Sequence, residues 1–465
     1  MPSYLSPGVY VEEVPSAVQA IAGVGTSTAG FIGIVDAAEY VVPRPNPHRN
    51  ATPVDPPDTV DVRLPRVRSA VADAAVAASL VGATLSDGTK LSDSAAAESA
   101  VADARAADQE TITIKNTEFL SPIHKIEGGN LAQPKLCTNF GEFRKYFGDF
   151  SVDAGQNRLA HAVFGFFHNG GTRCFVGVVT EDTEVDALLE KFGAVDEIAI
   201  VAAPGINDAT TRDRIVAHCK VATQDRMAIF DSNEAINGSL TLANIDPPPN
   251  SDYAAFYFPW IQVFDPATKL QNPDGDGLIY VPPSGHMAGI YARVDTNRGV
   301  HKAPANEVVL GAVGLKYQIS KAQQDGLNPL GVNCIRELNG NIRVWGARTV
   351  GGDANGEWRY VNVRRTFLFL RESIDEGTQW AVFEPNDEKL WAKITRNVSA
   401  FLTTVWRSGA LFGSTPDQAF YVKCDAETNP PELREVGQVV TEIGVAVVRP
   451  AEFVIFRISQ WQPQT

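Results

Sequence analysis

The spacing of apolar and polar positions changes character several times along this chain. Its opening holds one short alternating run, GVYVEEV, between Pro7 and Pro15. Val9 and Val11 fall on one face, with Tyr10 and Glu12 on the other, which predicts an isolated strand. So short a strand cannot satisfy its own backbone N–H and C=O groups. It must pair with its own domain or with another chain. A buried strand is expected over 29–35 (AGFIGIV). From about residue 134, apolar runs alternate with amphipathic segments. Strands are expected over 135–138, 173–179, 198–202 and 226–230, and helices over 139–147, 157–168, 186–192 and 209–223. Strands alternating with helices predict an α/β layer with a largely parallel sheet.

Val363, Phe367, Leu370 and Ile374 recur at helical spacing, so a helix is expected over 362–376. A short strand over 380–383 follows, then a second helix from 385–386 to 408, with Gly409 as its stop. Three further strands are expected over 420–424, 439–448 and 452–459. The last, EFVIFRIS, is apolar except for Glu452 and Arg457. A strand of that kind at a chain terminus needs cover on both faces and both edges.

One region stands apart. Residues 43–57 are proline-rich, and residues 67–107 are mostly Ala, Ser and Asp with few large side chains. Such a composition is expected to bury little apolar area. The reading is a small, partly helical insertion at the periphery, or else a partly disordered linker. The fold class is therefore α/β to α+β, multidomain. It comprises an N-terminal arm (1–18), a layered middle domain (19–45 and 116–345), a peripheral insertion (46–115) and a C-terminal mixed-sheet domain (346–465). The C-terminal domain includes a C-terminal arm (451–465).

Composition narrows the chemistry. No apolar run is long enough for a membrane span. The start of the chain, MPSYLSPGVYVEE, lacks the basic and apolar regions of a secretory signal. Five widely spaced cysteines without a CxxC pair suggest reduced, buried thiols rather than a disulfide framework or a zinc site. A net charge of -15 disfavours non-specific nucleic-acid binding.

Several motifs invite a chemical reading and do not sustain it. NPDGDG (272–277) begins like a calcium loop, but Pro283 stands where a bidentate Glu is needed, so a polar surface turn is expected. AGVGTSTAG lacks dinucleotide-binding spacing, and no phosphate-binding GxxxxGK[ST] occurs. His286 and His301 belong to no metal-ligand pattern. Asp208, Asp213 and Asp231 could serve an α/β active site, but nothing pairs them with a nucleophile or a base. Neither a catalytic residue, a cofactor nor a metal is expected. A hydrolase-like α/β enzyme with strand-forming termini is the alternative, and it rests on fold alone.

Longer motifs are more specific. Residues 281–315 (VPPSGHMAGIYARVDTNRGVHKAPANEVVLGAVGL) resemble a signature block of contractile phage tail sheath proteins. The resemblance extends, in order, through SPGVYVEEV, AAFYFPWIQVFDP, CIRELNGNIRVWGART, GTQWAVFEPND and RPAEFVIFRI. It is dense from about Tyr253 onward and absent between residues 50 and 115. It implies a structural subunit that polymerises helically around an inner tube and contracts to drive the tube into a target. The implied partners are further copies of the chain, the inner tube, a baseplate and a terminator or cap, with no nucleic acid and no membrane insertion. The implied setting is assembly in a bacterial cytoplasm, as part of a phage tail or a tail-like particle that can be released.

The resemblance also gives the termini a use. In this family, terminal arms complete the C-terminal sheets of neighbouring subunits. Candidate arm residues are Val9, Tyr10, Val11 and Glu12 at one end, and Phe453, Val454, Ile455, Phe456 and Arg457 at the other. The helix expected up to 408 sets Leu390, Ile394, Val398, Phe401, Leu402 and Val405 on one face. Lys389, Lys393, Arg396 and Arg407 fall on the opposite one. That basic stripe is either a solvated face or, as the resemblance implies, the contact with an acidic inner tube.

Overall fold

A computed structural model describes residues 20–35, 39–44, 48, 59–65, 69–91, 93–116, 119–125, 132–151, 153–236 and 238–457. The chain divides into two compact units: residues 25–368 with 449–465, and residues 1–24 with 369–448.

The larger unit is built on an eight-stranded sheet. Its strands are β1 (Ala29–Ile34), β2 (Lys135–Cys137), β3 (Cys174–Val179), β4 (Ile200–Ala202), β5 (Met227–Asp231), β6 (Ala254–Phe258), β7 (Val332–Leu338) and β8 (Asn341–Val344). Their spatial order is β8-β7-β6-β5-β4-β1-β3-β2. The six inner strands run parallel, with Ala29 in register with both Cys174 and Ile200. The outermost pairings, β2 on β3 and β8 on β7, are antiparallel. β5 and β6 are buried at every position. Cover on both faces explains why these strands read as continuous apolar runs rather than alternating ones. The α/β layer expected from the sequence is present.

Two helices pack on this sheet and cross each other closely. Helix α1 (Ala154–His168) starts at Asp153, whose carboxylate accepts from Gln156 N–H. Helix α2 (Ser284–Arg298) spans the middle of the 281–315 block. A Cβ added at Gly285 would lie 2.3 Å from Ala162 Cα, and one at Gly289 would lie 2.4 Å from the Phe166 carbonyl oxygen. Only glycine permits this crossing. At the other end of α2, Asp295 accepts 2.6–2.9 Å bonds from Arg365 and a 2.6 Å bond from Thr26. Arg365 and Asp295 are both buried, so each depends on the other for its charge to be tolerated.

Residues 59–115 depart from the expectation. They do not lack a core. Strand Thr59–Arg63 pairs antiparallel with Thr111–Lys115, and helices Ala70–Leu80 and Ser94–Ala106 cover one face. Val60, Val62, Ile112 and Ile114 alternate inward against Leu80, Ala97 and Val101. Alanine makes this possible, because small side chains let two short helices approach the ribbon without leaving voids. Arg105 joins the helices through a 2.6 Å pair with Asp73.

The smaller unit packs helices α3 (Val361–Thr378, whose first turns belong to the larger unit) and α4 (Glu388–Arg407) with a ribbon of β9 (Phe420–Lys423) and β10 (Glu442–Val445). Ile21 sits over Gly377, and Val24 N–H donates to Ser373 Oγ. The chain divides inside α3, after Leu368, whereas the sequence suggested a boundary near 346. Residues 346–361 stay with the larger unit because the Asn333 side-chain amide brackets the Arg348 backbone, Nδ2 donating to its C=O and Oδ1 accepting from its N–H, and Val350 N–H donates to Ala254 C=O. The strand expected over 380–383 is instead the end of a short 3-10 helix (Gln379–Ala381) followed by a turn. Trp380 Nε1 donates back to Gly377 C=O, and Phe383 takes a φ of 67°.

Candidate interaction surfaces

Three features of the smaller unit and the tail could engage partners. The first is α4. Asp387 caps its start, accepting from Lys389 and Leu390 N–H. Leu390, Ile394, Val398, Phe401, Leu402 and Val405 are all buried, as their spacing predicts. Lys389, Arg396 and Arg407 are exposed and make no ion pair among the described residues. Lys393 differs. It is half-buried, with its ammonium 3.9 Å from the centre of the Trp380 ring. Asn397 lies on the buried side, and neither of its amide atoms is hydrogen-bonded. Periodicity missed it because a lone polar residue inside an apolar stripe has no signature of its own.

The second feature is the β9–β10 ribbon, paired from Phe420↔Val445 to Lys423↔Glu442. Among the described residues neither strand has another ladder partner, apart from a bridge of Leu411 to Val447 just beyond β10. Phe412 and Tyr421 stand exposed nearby. Such a ribbon offers unpaired backbone groups to an added strand.

The third is the tail. Residues 451–457 form no strand, so the strand expected over 452–459 is not made by the single chain over the residues described. A strand requires a ladder, and none of the other described residues supplies one here. Phe453, Val454, Ile455 and Phe456 are 70%, 68%, 79% and 83% exposed, and Arg457 is exposed as well. Four consecutive apolar side chains left in water are unusual enough to mark a contact site. Val9, Tyr10, Val11 and Glu12 lie outside the described residues.

The α/β crevice offers less. A cavity of about 220 Å³ lies where β1 and β4 end, beside Gly155, Arg158, Asp182 and Asn207. Asp208 caps the helix that follows it, accepting from Thr211 N–H and Oγ1. Asp231 accepts from Ser284 N–H, Ser284 Oγ and Gly205 N–H, and so holds α2 in place from outside. Burial pushes the Asp231 carboxyl up to about 6. Asp213 is exposed. Asp208 and Asp231 thus serve separate structural ends, Asp213 stands in solvent, and the hydrolase-like alternative gains no support. In the 272–277 turn, Lys269 Nζ donates to the Pro273 and Gly275 carbonyls, so a cation already sits on that loop. His286 is buried against Gly165, and burial lowers its pKa to about 3. Among the described residues no group of three or more His, Cys, Asp or Glu could hold a metal ion. All five cysteines are free and buried.

Comparison with known proteins adds independent findings. The family model for the phage tail sheath protein central domain matches residues 179–350, and that for the phage tail sheath C-terminal domain matches 353–460. Between them they cover more than half of the chain. A tail sheath protein of Burkholderia phage BcepMu is 27% identical over 227 residues, which is 47% of this chain and 45% of that protein. A putative prophage major tail sheath protein of Pseudomonas aeruginosa is 26% identical over 242 residues, covering 47% of this chain and 58% of the relative. The matches thus span about half the length of these curated relatives. Among solved structures, the sheath of an extracellular contractile injection system, PVC, in its contracted state aligns over 99% of both chains, with a TM-score of 0.65 and 23% identity. The helical sheath of the anti-feeding prophage, also contracted, aligns over 98% of this chain and all of the other, with a TM-score of 0.64 and 22% identity.

Proposed function

This chain belongs to the contractile tail sheath family, and from that premise we propose that it is the structural sheath subunit of a contractile injection machine. Copies stack helically around an inner tube, above a baseplate, under a terminator or cap. The particle is a phage tail or a related injection system, assembled in a bacterial cytoplasm. The observation that carries this reading is the ordered pair of family matches from 179 to 460, supported by likeness to contracted sheaths along nearly the whole chain.

The mechanism needs no bound nucleotide. Subunits assemble in an extended, metastable packing, and each ring moves to a shorter, wider and more stable one. The difference in free energy, summed over the rings, drives the tube. The arms keep the wall continuous while the subunits move. The exposed Phe453–Phe456 run is the donor strand, and the β9–β10 ribbon of a neighbour is the acceptor. The 1–18 segment, with Val9, Tyr10, Val11 and Glu12, is a second donor. This is strand addition, in which backbone bonds give strength and alternate side chains set the register. A span of about fifteen extended residues reaches roughly 50 Å, far enough to enter a neighbour.

The basic face of α4 is the contact with the inner tube. Lys389, Arg396 and Arg407 are free for it, while Lys393 is partly committed to Trp380. Exposed ion pairs contribute only about 0–1 kcal/mol each, which suits a wall that must let go of the tube. Electron microscopy of the purified chain, alone and mixed with its tube, tests the proposal. Long hollow helical tubes from the full chain, lost on removal of residues 1–15, are expected. Discrete particles from both versions would overturn it. Unchanged co-assembly of a Lys389→Glu, Arg396→Glu variant would remove α4 from the tube contact.

A further inference from the structure

Among the described residues, the tail is fastened at a single side chain. Glu452 lies just before the exposed apolar run, and its carboxylate accepts four hydrogen bonds. Oε1 accepts from Arg348 Nε at 2.8 Å and Asn328 Nδ2 at 2.7 Å. Oε2 accepts from Arg348 Nη2 at 2.7 Å and the Tyr360 hydroxyl at 2.9 Å. Arg348 is itself buried, and its remaining Nη1 donates to Asp353 at 2.8 Å and to the Asn328 carbonyl at 3.2 Å. Asp353 also pairs with Arg359. Burial alone would raise the Glu452 pKa. The hydrogen bonds from Arg348, Asn328 and Tyr360 outweigh it and hold the carboxyl below the usual glutamate range.

The residues around Glu452 have nothing comparable. Ala451 and the residues from Phe453 to Arg457 are exposed. Backbone bonding within 449–457 is local, from Glu452 N–H to Pro450 C=O at 3.1 Å. A fully satisfied carboxylate in a fork of this kind is directional as well as strong. An exposed structural turn would need far less.

We propose that Glu452 is the anchor of the C-terminal arm. Its carboxylate fastens the root of the arm to the Arg348 cluster of its own subunit, so that Phe453 and the residues beyond it are the part handed to a neighbouring copy. The proposal rests on the woven-sheath reading and specifies where the donated strand begins. A fixed root matters for two reasons. It holds the strand near its acceptor, which raises its effective concentration. It also fixes the register, because a slip of one residue would turn the apolar set to the wrong face.

The test uses the full chain with Glu452→Ala, Glu452→Gln and Tyr360→Phe, beside a chain ending at Glu452. Two quantities are read: chymotryptic cleavage after Phe453 in the unpolymerised protein, and the rate of tube formation. Glu452→Ala is expected to speed cleavage about tenfold and to slow tube formation by a similar factor, while the thermal transition is retained. Glu452→Gln keeps part of the bonding and falls between. Tyr360→Phe removes one donor and gives a smaller change in the same direction, which keeps the test alive if Glu452→Ala fails to fold. Wild-type cleavage and assembly in these variants, with no tubes from the truncated chain, would overturn the anchor and leave the woven sheath standing. Tubes from the truncated chain at the wild-type rate would overturn both.

Discussion

The eight-stranded sheet and the β9–β10 ribbon differ in how they treat their edges. The six parallel strands of the sheet are covered on both faces, and its rims are closed by short antiparallel strands. The ribbon has two strands, no fully buried position in either, and backbone left to pair. An isolated two-stranded ribbon is at best marginal, and an unprotected edge invites association. One region is finished within the chain, and the other is, on the function proposed above, finished by a strand from another copy. The exposed tail has the matching need, since it has apolar side chains but no ladder. Stability and assembly therefore rest on different residues, and substitutions should separate them.

The largest effect on folding is expected in the finished region. Asp295→Ala leaves Arg365 buried without its carboxylate and should cost about 3–5 kcal/mol in chemical denaturation. A loss under about 1 kcal/mol would show that the pair contributes little. Next is a pH dependence from Asp231. Its folded pKa, about 6, lies above its unfolded value near 3.8. The folded state therefore binds the proton more tightly, and stability falls as pH rises from about 4 to 6. A shift of this size corresponds to roughly 3 kcal/mol. Asp231→Asn should remove that slope, read as the difference between the two proteins' denaturation midpoints across this window. Equal slopes would contradict it.

Smaller effects sharpen the contrast. Asn397 holds two buried, unsatisfied amide atoms, so Asn397→Leu should stabilise the smaller unit by about 1 kcal/mol by thermal or chemical denaturation. The smallest effect on folding belongs to the tail. Phe453→Asp with Ile455→Asp should change the stability of the unpolymerised chain by less than about 0.5 kcal/mol, because both side chains are already in water. The same pair should abolish tube formation in electron microscopy. Tubes at the wild-type yield would break the comparison.

The sequence revealed most about the finished region. Continuous apolar runs marked the buried strands, and helical spacing marked Leu390, Ile394, Val398, Phe401, Leu402 and Val405 on the inner face of α4 but not the buried Trp391 and Asn397. The long 281–315 motif proves to hold packing devices: Gly285 and Gly289 for a helix crossing, and Asp295 for a buried ion pair. Other features were hidden because they depend on contacts distant in sequence. The core of 59–115 joins strands some fifty residues apart through small alanines, which composition alone reads as too poor to pack. The Glu452 site combines residues near 328, 348, 360 and 452, and no local pattern could link them. Lys393 read as part of a free basic face, because its aromatic neighbour Trp380 lies beyond a turn. The arms read as strands that must pair with their own domain or with another chain.

Cryo-electron microscopy of the assembled tubes, at a resolution that traces side chains, tests the central claim most directly. The account expects β9–β10 to be widened by strands from other subunits, one from around Val9 to Glu12 and one beginning after Glu452. A ribbon that stays two-stranded in the assembled wall, with both termini lying on their own subunit, would contradict it.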